Sequence, residues 1–324
     1  MSKRIVFLGT PEFAATVLDS LYKAGYDVAA CVTQPDKPVG RHMTLTAPPA
    51  KIMAMSYGIP VSQPSSLRTE EFLEQMKAWA PDLIITAAYG KILPGTVLDV
   101  PAFGCLNVHA SLLPRYRGAA PVQWAILNGD KVAGITIMKM DAGMDTGDIL
   151  SRRECSIDPD ETTGMLMDRL AVIGAELLLE TISPYLAGTI KPVQQDNSLA
   201  TLSPPIRKEQ GLIDWTRSPE AIHNQIRALS GWPGAFTLLK GERFKIYESN
   251  LPANQENLLS VFEQDYDKPL PGTIIRATKS GIYVACGSGC IALTNVQPQS
   301  CRRMHSHECS HNYRAGMQFG GEKT

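Results

Sequence analysis

Three side chains in the first half of the sequence have the types and spacing needed for acyl transfer to an amine. Asn107 and His109 stand two residues apart, and Asp145 lies in a segment, residues 141–149, that holds three acids and two glycines. An asparagine amide can donate a hydrogen bond to the oxyanion of a tetrahedral intermediate. Imidazole exchanges protons near neutral pH, and a carboxylate can fix its tautomer. An amine attacks a carbonyl directly, so this chemistry needs no serine or cysteine nucleophile.

The elements predicted around these residues would bring them to one place. Residues 105–109 are predicted to form a strand, and alternate strand residues such as Asn107 and His109 share one face. They end this strand, where open α/β sheets bind their ligands. A second apolar strand, residues 134–140, runs into the loop that holds Asp145. Each motif alone has a plainer explanation: Asn and His can simply cap a turn, and an acidic loop can be a solvated turn or a weak divalent-metal site.

Apolar runs and their breaks predict two domains joined by a linker. A helix is predicted between two apolar strands, with Thr10 as its cap and Pro11 in its first position. This order indicates a β-α-β opening. Such an opening predicts a parallel sheet covered by helices. Further strands are predicted at residues 83–87, 105–109 and 134–140, and helices at 69–80, 119–128 and 162–186. The predicted parts are an α/β domain, an aperiodic linker and a small β-barrel of closely spaced short strands, at residues 1–189, 190–206 and 207–324.

Composition restricts the class of protein. Hydrophobic residues make up 44% of the chain and charged residues 19%, which is typical of a globular protein. With 31 basic and 32 acidic residues, global charge gives no argument for a nucleic-acid partner. No apolar run reaches the roughly 18 residues of a membrane helix, and the first residues do not form a signal peptide. Seven cysteines without a secretory signal predict free thiols in a reducing compartment, the cytoplasm.

The motifs resemble a known family. Residues 107–121, NVHASLLPRYRGAAP, closely resemble the signature of folate-dependent formyltransferases, and residues 140–148 resemble that family's catalytic aspartate loop. Further segments resemble the branch of the family that acts on methionine carried by initiator tRNA, at residues 7–14, 33–41, 213–215, 223–229 and 232–235. The resemblance covers nearly the whole chain in order. It implies a Rossmann-like parallel sheet in the N-terminal domain and an OB-like β-barrel in the C-terminal domain.

The resemblance also implies roles for individual residues. Asn107, His109 and Asp145 would be catalytic, and the formyl donor would be 10-formyltetrahydrofolate, with no metal ion. Contacts to the folate are expected from one loop, through Ser111, Leu112, Leu113 and Pro114. A further contact is expected from Tyr89, the first residue of segment 89–94. The acceptor would be the α-amino group of methionyl initiator tRNA. We expect a monomer, since no additional assembly segment is visible.

A loop and several cations are candidates for tRNA contact. The resemblance implies that the loop at residues 35–51 enters the acceptor stem, where Arg41 would contact RNA. Family loops usually carry more lysines after this arginine, and His42-Met43-Thr44-Leu45-Thr46 stands there instead, which predicts weaker phosphate attraction. Candidate phosphate contacts in the barrel are Arg207, Lys208, Arg302 and Arg303.

Alternative functions stay open at this point. Gly9 stands where a dinucleotide-binding loop would begin, yet the complete G-x-G-x-x-G pattern is absent, which disfavours a nicotinamide enzyme. An RNA-binding protein without catalysis would not need the Asn-His-Asp trio. A nucleotide-sugar or glycinamide ribonucleotide formyltransferase, or a formyltetrahydrofolate hydrolase, would share the trio. The Cys and His residues between positions 286 and 311 fit no standard zinc-finger spacing, so we predict no metal.

Overall fold

The computed structural model describes residues 3–40, 43–253, 255–263 and 267–320. The chain divides into two compact units: Met1–Pro121, Val132–Ser156 and Leu166–Pro204 form the first, and Val122–Lys131, Ile157–Met165 and Pro205–Thr324 form the second. The boundary after Pro204 falls within the predicted linker at residues 190–206. Among the described residues, we find no helical segment with both the length and the hydropathy that a bilayer span requires.

A seven-stranded sheet forms the centre of the first unit. The strands up to residue 203 are β1 (Arg4–Gly9), β2 (Asp27–Val32), β3 (Lys37–Val39), β4 (Thr44–Thr46), β5 (Val61–Ser62), β6 (Leu83–Ala87), β7 (Cys105–His109), β8 (Arg117–Gly118), β9 (Val132–Lys139), β10 (Ile149–Ser156) and β11 (Leu202–Ser203). The helices up to residue 186 are α1 (Glu12–Lys23), α2 (Pro49–Ser56), α3 (Glu70–Trp79), α4 (Gly95–Leu98), α5 (Pro121–Leu127) and α6 (Thr163–Leu186).

The strand order of this sheet is β10-β9-β7-β6-β1-β2-β5. The five strands from β7 to β5 are parallel, as predicted, and β6 is buried along its whole length because both faces of such a sheet are covered. Strand β9 pairs antiparallel with β7, and β10 pairs antiparallel with β9, so β9 alone runs opposite to the other strands of this sheet. The end of β9 therefore lies beside the beginning of β7, which decides how the loop after β9 can reach the end of β7.

Thr10 does not cap α1, contrary to the prediction. Pro11 is the N-cap residue and makes no side-chain capping bond. The Thr10 hydroxyl donates instead to the Tyr89 carbonyl at 3.1 Å and accepts from the Gln34 backbone N–H at 3.3 Å. Because Gln34 follows β2 and Tyr89 follows β6, this hydroxyl ties together the ends of neighbouring strands.

The segment predicted as a loop at residues 35–51 is partly regular. Strands β3 and β4 pair as an antiparallel hairpin, and α2 begins at Pro49. At its base, the Lys51 ammonium lies 2.9 Å from the Asp36 carboxylate, and Gln63 bonds to both side chains. Lys51 and then Gln63 hold the pKa of Asp36 below its usual value. Arg41, which stands between β3 and β4 in the sequence, lies outside the described residues.

An antiparallel sheet forms the second unit, in agreement with the predicted small barrel. Its elements are α7 (Pro219–Ala228), β12 (Ala235–Leu239), β13 (Glu242–Asn250), α8 (Gln255–Glu263), β14 (Ile274–Thr278), β15 (Gly281–Ala285), β16 (Cys290–Gln297), β17 (Met304–His305) and α9 (Ser306–Cys309). The order is β12-β13-β16-β15-β14, with β17 beside β16. Bridges from Phe319 to Leu239 and from Gln318 to Thr273 join both edges, so one short segment closes the sheet. Trp215, Phe244 and Phe319 pack in its core.

Candidate active site

Asn107 and His109 lie on the same face of β7, as predicted. Strand β7 runs between β6 and β9, where Asn107 is opposite Thr86 and Met138. The Thr86 hydroxyl lies 2.8 Å from Oδ1 of Asn107 and donates to it. This bond fixes the orientation of the amide, so Nδ2 of Asn107 faces Asp145 and the space beside it.

His109 is held by a backbone carbonyl. Its Nε2 lies 3.0 Å from the carbonyl oxygen of Tyr116, and since a carbonyl only accepts, Nε2 carries the proton. The other nitrogen, Nδ1, faces Oδ1 of Asp145 at 3.7 Å. The prediction that Asp145 fixes the imidazole tautomer is therefore wrong, because Tyr116 fixes it. Nδ1 remains available to accept a proton, with a carboxylate nearby to stabilise the resulting cation.

Asp145 reaches the site on a loop that folds back over the sheet. The loop leaves β9 where the Met140 N–H donates to the Cys105 carbonyl at 2.8 Å, at the opposite end of β7 from His109. At its other end, Oδ2 of Asp145 accepts from the Gly118 N–H at 2.9 Å, and Oδ1 lies 3.4 Å from Nδ2 of Asn107. The structure thus brings together the three side chains that the sequence singled out.

The loop around Asp145 is fixed by its own residues. The Asp141 carboxylate accepts from the Thr146 hydroxyl at 2.7 Å and from the Gly143 N–H at 3.0 Å. A Cβ atom at Gly147 would come within 1.8 Å of the Lys139 carbonyl oxygen, so only glycine fits there. Asp141 therefore shapes the loop, while Asp145 faces the site. Within the described ranges, no group of three His, Cys, Asp or Glu side chains is arranged to hold a metal ion.

The predicted folate loop directly follows His109. Ser111 is buried, and its hydroxyl donates to the Arg115 carbonyl at 2.7 Å. Thr136 accepts from the Leu113 N–H at 3.1 Å and donates to the Ser111 carbonyl at 2.6 Å. Leu113 is buried, whereas Leu112 and Pro114 are partly exposed. The loop is rigidly held beside the trio, and its contact with folate stays a prediction.

Tyr89 lies in the apolar core rather than on the surface. It is buried in a cluster with Leu8, Phe72 and Leu93 among others. Among the described residues its hydroxyl has no hydrogen-bond partner, and burial raises the pKa of this hydroxyl to about 12. Its predicted role in a pterin pocket remains a prediction.

The four barrel cations that could contact tRNA differ in their surroundings. Arg207 and Lys208 are exposed. Arg302 pairs with the Glu308 carboxylate, and Arg303 pairs with Glu248 at 2.7 Å while lying over the Tyr247 ring. Carboxylates thus partly neutralise the second pair of cations, and the first pair is better placed to attract phosphate.

Several groups at the site were missed by sequence reasoning. The Tyr116 carbonyl and the Gly118 N–H are backbone groups within the motif, and side-chain chemistry gives no hint of them. Thr86 could have been noticed as a polar residue within an apolar strand. Gln195 lies in the aperiodic segment predicted as linker, where no local signal points to the site.

Comparisons with known proteins agree with the site. The formyl transferase family matches residues 3–182, and the formyl transferase C-terminal domain matches residues 205–314. Methionyl-tRNA formyltransferase of Geotalea uraniireducens is 45% identical over 96% of this chain and 95% of its own. That of Acetivibrio thermocellus is 46% identical over 98% of this chain and 99% of its own.

A solved structure supports the fold. The crystal structure of HypX from Aquifex aeolicus in complex with tetrahydrofolic acid matches with a TM-score of 0.65 and 16% identity, over 95% of this chain. The chain spans about half of HypX, 47% of its length. At this identity the likeness shows the fold alone. The family matches and the near-full-length relatives together show that the chain belongs to the formyl transferase family.

Proposed function

We propose that this chain transfers the formyl group of 10-formyltetrahydrofolate to the α-amino group of methionine on initiator tRNA. The observation that carries the proposal is the convergence of two groups on the Asp145 carboxylate: the Asn107 amide lies 3.4 Å from it and the His109 imidazole 3.7 Å from it. The substrates are supported by the relatives, which are named methionyl-tRNA formyltransferases and align over almost the entire chain.

The first step is attack of the free amine on the formyl carbon. A nitrogen–carbon bond forms, and the carbonyl π electrons move onto oxygen. Nδ2 of Asn107 is oriented by Thr86 so that it can donate to this oxyanion. Because the amide is fixed before substrate arrives, little reorganisation is needed in the transition state.

The second step moves one proton. Nδ1 of His109 carries no proton in the neutral tautomer, and it takes the proton of the attacking nitrogen. The imidazolium that results lies 3.7 Å from the Asp145 carboxylate, which stabilises it. When the bond from the formyl carbon to N10 of folate breaks, His109 returns this proton to N10. The products are the formylated amine and tetrahydrofolate.

The tRNA side of the proposal relies on the hairpin and on exposed cations. Arg41, between β3 and β4, would contact the acceptor end, and Arg207 and Lys208 would contact phosphates. The hairpin exposes Met43 and Leu45, each 67% exposed, which suits contact with bases more than with phosphates. We also propose a monomer acting in the cytoplasm, where initiator tRNA is charged and used.

A transfer assay tests this function directly. Radioactive 10-formyltetrahydrofolate is incubated with enzyme and with charged initiator or elongator methionine tRNA, and label on the tRNA is counted. We expect label on initiator tRNA at a much higher kcat/KM than on elongator tRNA. Label on neither tRNA would reject the proposal. Saturable NAD(P)H binding followed by fluorescence would favour the nicotinamide alternative instead.

A further inference from the structure

A segment that follows the long helix α6 returns to the candidate site. We name residues 193–203 the return segment. Val193 bridges to Ile149 at the start of β10, and Leu202 and Ser203 pair with β8. Within it, Gln195 is 6% exposed although its neighbours are exposed. A buried glutamine between two exposed neighbours needs a specific set of polar partners.

Gln195 links two parts of the candidate site. Its Nε2 donates to the carbonyl of Asp145 at 2.9 Å and to that of Gly147 at 2.7 Å. Its Oε1 accepts from Nε of Arg117 at 3.0 Å and from Nη2 at 2.7 Å. Arg117 is itself buried and also donates to Asn197 at 2.9 Å. Because a guanidinium only donates, it fixes Oε1 toward itself and leaves the amide hydrogens facing the Asp145 loop.

The return segment also bonds to the backbone of Tyr116, the residue whose carbonyl accepts from Nε2 of His109. Thr201 accepts from the Tyr116 N–H at 2.9 Å. The Ser203 hydroxyl lies 3.1 Å from the Tyr116 carbonyl oxygen, the atom to which His109 donates. The return segment therefore contacts the supports of both His109 and Asp145.

Asp145 needs such support because its backbone conformation is unfavourable. Its φ is +54°, in the left-handed region that costs energy for residues other than glycine. Residues 141–144 before it are exposed. The side chain is tied to the Gly118 N–H, and Gln195 binds the carbonyl groups of Asp145 and Gly147.

We propose that Gln195 is a positioning residue that holds the Asp145 carboxylate in place for formyl transfer, and that Arg117 orients the side-chain amide of Gln195. The inference rests on the proposed function. Gln195 is buried and acts through the Asp145 loop, whose carbonyl groups it binds. A displacement of about 1 Å in a reacting group can cost a hundredfold in rate. Loss of the two bonds from Nε2 should therefore lower kcat and leave the KM values little changed.

The test uses Gln195→Glu, which keeps an acceptor for Arg117 and loses the donor to the two carbonyls. The matched control is Gln194→Glu, the same change at the exposed neighbouring position. We expect kcat for Gln195→Glu to fall about 10- to 100-fold, with both KM values within twofold of wild type. Gln195→Met, which removes both halves of the interaction, should lose at least as much, and Gln194→Glu should match wild type.

A double-mutant cycle separates positioning of Asp145 from a general structural effect. In an Asp145→Ala background, measured by single turnover with excess enzyme, Gln195→Glu should cost less than twofold. If Gln195→Glu lowers the rate in the Asp145→Ala background as much as it does in wild type, the inference is overturned, because Gln195 would then act elsewhere.

A second readout does not depend on activity. The Gly118 N–H is held by Asp145, so its hydrogen exchange, measured by NMR, reports whether the carboxylate is in place. We expect exchange at Gly118 to be at least tenfold faster in Gln195→Glu than in Gln194→Glu. An unchanged rate would overturn the positioning role even if wild-type enzyme formylates tRNA. Failure of wild type to formylate any tRNA would instead reject the proposed function.

Discussion

Nε2–H of His109 donates to the Tyr116 carbonyl across 3.0 Å, and this contact leaves Nδ1 as the nitrogen that faces Asp145. The two ring nitrogens therefore have separate roles: Nε2 donates to Tyr116, and Nδ1 serves as the base. A substitution can keep the first role and remove the second. A glutamine side chain can place its amide nitrogen near the position of Nε2, and so keep the donor to Tyr116 without providing a base.

His109→Gln should therefore fold normally and lose turnover. General acid–base catalysis typically contributes about 10²- to 10⁴-fold, so we expect kcat to fall by that range with the melting temperature within a few degrees of wild type. Single-turnover formyl transfer and thermal unfolding measure the two effects. A folded His109→Gln variant with a rate within threefold of wild type would remove His109 from the proton transfer.

Asn107 and Thr86 should differ in the size of their effects. Asn107→Ala removes the oxyanion donor and should lower kcat by about 10²–10³. Thr86→Val keeps the shape of the side chain but removes the hydroxyl that orients the amide, so we expect a smaller loss, about tenfold. Steady-state kinetics of both variants, with circular dichroism as the control for folding, tests this ranking. A larger loss in Thr86→Val than in Asn107→Ala would contradict the proposed role of Asn107.

The sequence predicted elements where an apolar run has clear ends. Strands β6 and β7 have the predicted bounds, Leu83–Ala87 and Cys105–His109, because turn residues flank both runs. The direction of β9 could not be predicted, since an apolar β-branched run reads the same in a parallel or antiparallel pair. Thr10 has the type of a helix cap, but its hydroxyl bonds to Tyr89 and Gln34, which are distant in sequence.

The candidate site was predictable only in its side chains. Asn107, His109 and Asp145 are recognisable by type and spacing. The group that fixes the His109 tautomer is a carbonyl, and every residue has one, so no sequence pattern could single out that of Tyr116. Gln195 contacts a loop 50 residues earlier in the chain, and such long-range contacts arise from the path of the chain after α6.

Tyr89→Phe should make the protein more stable. Its buried hydroxyl has no partner among the described residues, and leaving such a group unpaired costs about 1–3 kcal/mol. We expect the free energy of unfolding at pH 7 to rise by about 1 kcal/mol in urea titrations. The KM for the formyl donor should stay within twofold, because the ring remains. A several-fold rise in that KM would instead place the hydroxyl against folate.

The same substitution should change the response to alkaline pH. The pKa of Tyr89 is raised from 10.0 to about 12 by burial, so the folded state holds its proton more tightly than the unfolded state. This difference stabilises the folded wild type below pH 10 and is lost as the pH rises toward 12. The stability advantage of Tyr89→Phe should thus grow above pH 10 in urea titrations repeated at increasing pH. A constant difference would indicate that the hydroxyl ionises as in water.

Arg41→Ala should affect tRNA more than folate. Arg41 stands between β3 and β4, on a hairpin whose base is fixed by the Asp36–Lys51 ion pair. Removing one phosphate contact should reduce the slope of log affinity against log salt by about one. The matched control is Arg68→Ala, which removes the same charge at an exposed position before α3. We expect KM for charged tRNA to rise several-fold in Arg41→Ala only, with KM for the formyl donor unchanged in both. Equal losses for tRNA in the two variants would mean that general charge, and not this hairpin, attracts the acceptor.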